Sequence, residues 1–87
     1  MSRLELINLI NEVLSIHDLE YLIDMGAPVD EYEPEAEKIA EFIINNRNAT
    51  LQQLADNIQI VFMCYFSKLF DFKECLAVAS DIKEKLL

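Results

Sequence analysis

Turn-forming residues are scarce in this chain: one glycine, Gly26, and two prolines, Pro28 and Pro34, in 87 residues. A sheet protein of this size needs many tight turns, and so few breakers leave little room for them. Helices are the expected alternative. Long apolar runs are missing as well. The longest, IVFMCYF at 60–66, falls far short of the ~20 residues that span a bilayer. The N-terminal MSRLELINLI lacks a basic region followed by a long apolar run and a cleavage site, so no signal peptide is expected. Two cysteines, Cys64 and Cys75, are too few for a disulfide framework, and their apolar surroundings suit reduced, buried thiols. A soluble protein of a reducing compartment such as the cytoplasm is expected.

Basic residues are few: seven Lys and Arg against sixteen Asp and Glu, a net charge of −9. Phosphate backbones and anionic lipids are bound by clustered Lys and Arg, so neither direct nucleic-acid contact nor membrane binding is expected. A basic protein partner stays open, because opposite charge steers encounter. The charge is also one-sided. Residues 1–37 hold ten acids and one base, Arg3, whereas residues 38–87 hold six of each. The whole net charge therefore belongs to the first two-fifths of the chain.

What is present is helical periodicity with start signals. Ser2-Arg3-Leu4-Glu5 has the form of a capping box, in which a hydroxyl and a carboxylate satisfy free N–H groups at a helix start. The following stripe, Leu4, Leu6, Ile7, Ile10, Val13, Leu14 and Ile16, predicts an amphipathic helix ending between Ser15 and His17. Asp18 could cap a short extra helix, LEYLIDM, stopped by Gly26 and Pro28. Pro34 suits a first helical turn and predicts a helix to about Asn46, with Ala36, Ile39, Ala40, Ile43 and Ile44 inward. Thr50-Leu51-Gln52-Gln53 is a second capping box, opening a helix to Phe66 that turns inward Leu51, Leu54, Ala55, Ile58, Val61, Phe62 and Tyr65. Ile60, Met63, Cys64 and Phe66 make that helix apolar nearly all round, which predicts a central place for it. Asp71 heads the last helix, with Cys75, Leu76, Ala79, Ile82 and Leu86 inward. The expected fold is all-α: a compact bundle of four main helices in a single domain over 1–87.

Two stretches, GAPVDEYEPEAEKIA at 26–40 and FDFKECLAVASDIKEKL at 70–86, resemble the YugE-like family of small bacterial domains of unknown function. The resemblance lies in the acidic turn Pro28, Asp30, Glu31 and Tyr32, and in an aromatic-rich helix running into a final helix that bears Cys75. It implies an all-helical fold and a bacterial source, and it brings no activity to transfer.

The acidic cluster admits three roles. Acids near Pro34 complement the positive end of a helix dipole and solvate its face. They could equally form a docking surface, made of Asp24, Asp30, Glu31, Tyr32, Glu33, Glu35 and Glu37. A metal or small-ligand sensor built on the acidic turn at 26–37 is the alternative, although the calcium-loop pattern is absent. Tyr32 could fold onto the core or stand out as an interface anchor.

Other chemistry is thinly supported. His17 is the only histidine, and with Cys64 and Cys75 it falls short of the four ligands of a zinc site. No strained nucleophile surrounds either thiol, so no catalytic residue, cofactor or metal is expected. Five of the eight aromatic residues lie within 62–72. Phe62, Tyr65, Phe66 and Phe70 are either core or the contact face of a homodimer. The expected protein is a non-enzymatic interaction module whose acidic N-terminal part docks a basic partner, in one form as an inhibitor or immunity-like protein.

Overall fold

The computed structural model describes residues 1–18 and 32–86. Four helices make up its regular structure: α1 (Arg3–His17), α2 (Glu33–Asn45), α3 (Leu51–Phe66) and α4 (Phe72–Leu86). No strand occurs among the described residues. The short helix expected before Gly26 lies outside them.

Both capping boxes form. The Glu5 N–H donates to the Ser2 hydroxyl at 3.1 Å, and the Ser2 N–H donates to the Glu5 carboxylate at 3.3 Å. Thr50 and Gln53 make the same reciprocal pair at 3.1 and 2.8 Å. Asp71 caps α4 differently, its carboxylate accepting from the Lys73 N–H at 2.8 Å. The scarcity of glycine shows at the helix ends. Helices commonly close on a left-handed residue, usually Gly; here Asp18 and Ser67 fill that role at φ 47° and 53°. Asp tolerates this geometry through local hydrogen bonds of its short side chain.

α1 packs on α2 and α4, and α3 packs on the same two helices, while the diagonal pairs stay apart among the described residues. α3 is therefore not central, contrary to its all-round apolar sequence. Its core face carries Leu54, Ala55, Ile58, Val61 and Phe62, but Ile60 and Met63 point outward. The core closes with Ile10 and Leu14 of α1, Ile39 of α2 and Val78 and Ile82 of α4. Ala36, Ala40, Ala55 and Ala79 are fully buried at these contacts, where small side chains let helix axes approach.

Leu4 and Ile16, expected inward, are each 65% exposed. At 3.6 residues per turn each lies roughly a third of a turn from the middle of the buried stripe, on opposite sides. Leu51, Tyr65 and Leu86 are also exposed, near helix ends where the neighbouring helix no longer covers them.

The connections are pinned by side chains reaching across. Lys83 Nζ donates to the Ala49 carbonyl at 2.8 Å, fastening the α2–α3 connection to α4. Gln59 Nε2 donates to the Phe70 carbonyl at 2.7 Å, fastening the α3–α4 connection to α3.

Candidate functional site

The acidic residues expected to form a docking surface separate into three groups. Asp24, Asp30 and Glu31 lie outside the described residues. Tyr32 is fully buried and Glu35 is only 4% exposed, so neither offers its side chain to a partner. That corrects the docking expectation for Glu35, and of the two alternatives for Tyr32 it is the core position that the structure shows. Tyr32 faces inward because its ring stacks on Phe62 at 6.0 Å and its hydroxyl donates to the Asp18 carboxylate at 2.6 Å. Glu33 and Glu37 are exposed.

With Glu41, also exposed, these two make a row at i, i+4 and i+8 along the outer face of α2. Glu33 sits in the first turn, where the helix dipole favours a carboxylate. Glu41 is in the last turns and gains nothing from that field. Like charges one turn apart oppose the helix by a few tenths of a kcal/mol per pair. The dipole therefore accounts for Glu33 but not for the continuation of the row through Glu37 and Glu41.

The aromatic residues expected as an oligomer contact are also divided. Phe62 is fully buried and Phe70 is 4% exposed, so both belong to the core and not to an interface. Phe62 is the hub, with Phe66 at 5.5 Å and Phe70 edge-on at 5.2 Å. Offset and edge-to-face contacts of this kind add to the burial of the rings. Phe66 is partly buried; Tyr65, at 45% exposed, keeps an outward position. The Lys68 ammonium lies 5.0 Å from the centre of the Phe70 ring.

Between α2 and α3 runs a groove that the sequence did not single out. One part, about 520 Å³, is lined by Lys38, Glu41, Phe42, Asn45, Ile60 and Cys64, among others. The adjoining part, about 510 Å³, adds the connecting residues Arg47 and Asn48 and the α3 residues Gln53 and Asp56. Its floor is apolar and its rim is charged and rich in amides. Two signals were present: the Asn45-Asn46-Arg47-Asn48 connection, and the surplus of apolar residues on α3.

Cys64 is exposed and Cys75 buried, which corrects the expectation of two core thiols. Burial pushes the Cys75 thiol up to about 11, with the Glu74 and Asp71 carboxylates adding to the shift. Alkylation proceeds through the thiolate. At pH 8, dilute protein is expected to take up one equivalent of iodoacetamide quickly, at Cys64, and the second only with unfolding. Mass spectrometry of the modified peptides checks this; rapid labelling of Cys75 in the folded state contradicts it.

His17 closes α1, as expected, and its Nε2 lies 3.1 Å from Asp81 Oδ2. The pair links the end of α1 to α4 and is part-buried on both sides. No group of three or more His, Cys, Asp or Glu side chains among the described residues could hold a metal ion. No helix among them is long and apolar enough to cross a membrane.

Comparison with curated proteins and with solved structures finds no significant match. A family model does match, over residues 16–85, so that all four helices fall wholly or partly within it. The chain belongs to the family described as a domain of unknown function, DUF1871.

Proposed function

We propose that this chain is a non-catalytic docking protein whose acidic surface on α2 receives a basic surface of a protein partner. The observation that carries it is the exposed row of Glu33, Glu37 and Glu41. In the sequence, Asp24, Asp30 and Glu31 add to the acidity just before it, and the net charge of −9 has the same sign. Complementary fields of this kind raise association rates and exclude like-charged partners. One concrete form is an inhibitor or immunity-like protein that covers a basic, nucleic-acid-binding surface with carboxylates in place of phosphates. The resemblance to the YugE-like domains adds a bacterial source to this reading, and the composition adds a cytoplasmic location.

Affinity capture with the wild-type chain and with a Glu33→Gln/Glu37→Gln variant tests it. A specific partner retained by the wild type should be released as salt rises and should bind the variant at least tenfold more weakly. A partner held equally by both, with the same salt sensitivity, would remove the acidic row from the account.

A further inference from the structure

The outer face of α3 is uncovered among the described residues. Ile60 and Met63 are 47% and 44% exposed, and Cys64 is exposed between them and the next turn. These three lie at i, i+3 and i+4 and share one side of the helix. They continue into the α2–α3 groove, whose floor includes Phe42 and Val61.

Glu41 of the acidic row borders this face, but the charge along the groove is mixed. The groove is edged by Lys38 and Arg47 on one sign and by Glu41 and Asp56 on the other. It falls in the part of the chain, residues 38–87, whose acids and bases balance. A strongly basic partner gains little there compared with the α2 row. Two copies of a chain of charge −9 repel when their acidic surfaces meet, because juxtaposed like charges are costly. A balanced face avoids that. A rim carrying both signs is also self-complementary about a twofold axis, where residue i of one copy meets j of the other and j meets i.

We propose that a second copy of this chain docks on the outer face of α3 and the adjoining groove, forming a symmetric dimer in which Lys38 and Arg47 of each rim face Glu41 and Asp56 of the other. The two surfaces share Glu41, but Glu33 and Glu37 do not line the groove, so the Glu33→Gln/Glu37→Gln and Ile60→Glu variants test them separately.

Sedimentation equilibrium of the full chain over a wide concentration range tests it, with Ile60→Glu as the disrupting variant and Leu4→Glu as the control. Leu4 is 65% exposed on α1, so both variants add one acid at an exposed site and change net charge equally. The expected result is a reversible dimer, weakened at least tenfold by Ile60→Glu and unchanged by Leu4→Glu. Alkylation of Cys64 should slow as concentration rises through the dimerisation range in the wild type, and not in Ile60→Glu. Circular dichroism confirms that the variants remain helical; should Ile60→Glu unfold, Met63→Glu serves the same comparison. A monomer at every concentration, a dimer that withstands the substitution, or equal weakening by Leu4→Glu would each overturn the proposal.

Discussion

Phe62→Ala is expected to cost about 3–5 kcal/mol of stability, the range for truncating a buried aromatic ring. A domain of this size commonly has only about 5–15 kcal/mol in total. The reason lies in the position of the ring. Phe62 is fully buried at the meeting point of three others, with Tyr32 stacked at 6.0 Å, Phe66 at 5.5 Å and Phe70 at 5.2 Å. Removing it leaves a cavity bounded by rings from the start of α2, the end of α3 and the α3–α4 connection. These are held by different elements and cannot all collapse inward together. Phe66→Ala, at a partly buried ring of the same group, should cost less. Urea unfolding of the two variants compares them directly. Equal small losses for both would show that Phe62 is not the hub.

Tyr32 is expected to give the second-largest effect, in two separable steps. Tyr32→Phe keeps the ring and removes the hydroxyl that donates to Asp18 at 2.6 Å. A hydrogen bond to a charged group contributes about 1.5–3 kcal/mol. Asp18 is only part-buried, so water can replace the lost donor and the lower end of that range applies. Tyr32→Ala also removes a fully buried ring and should cost about 3–5 kcal/mol. The hydrogen bond joins the residue that closes α1 to the residue that precedes α2. Its loss should therefore loosen the ends of both helices, which amide exchange at the end of α1 would show. Because the Tyr32 and Phe62 rings touch, the double alanine variant should lose about 0.5–1.5 kcal/mol less than the two single losses together. Strict additivity would mean that the stacking contributes nothing beyond burial.

The helical fold was legible in the sequence for local reasons. Capping boxes, Pro34 and apolar periodicity act within a few residues, and each helix begins and ends within about a residue of where those signals place it. What local pattern could not convey is which face meets which neighbour. α3 is apolar on nearly every side, and periodicity alone could not tell a buried central helix from one with an uncovered face. Tyr32 and Glu35 show the same limit in polar form. Both sit in a run of acids that reads as solvated surface, yet packing against the other helices turns them inward. Glu33 and Glu37, neighbours of these two in the same run, stay outside because their positions around α2 face away from the core.

The groove and Cys64 were hidden by the same ambiguity. An apolar α3 and an amide-rich connection were both visible, but only the arrangement of four helices puts the connection beside the outer side of α3. The acidic stretch was the most conspicuous feature of the sequence, and the structure narrows its exposed, described part to Glu33 and Glu37, continued by Glu41.

The central claim is that this row serves binding and not folding. Urea denaturation of the Glu33→Gln/Glu37→Gln variant tests it most directly, because it needs no identified partner. Relief of the like-charge pairs and loss of the Glu33 interaction with the helix dipole oppose each other, so stability should change by less than about 1 kcal/mol. A loss of more than about 1 kcal/mol would mean that the carboxylates support the fold, and would contradict the account.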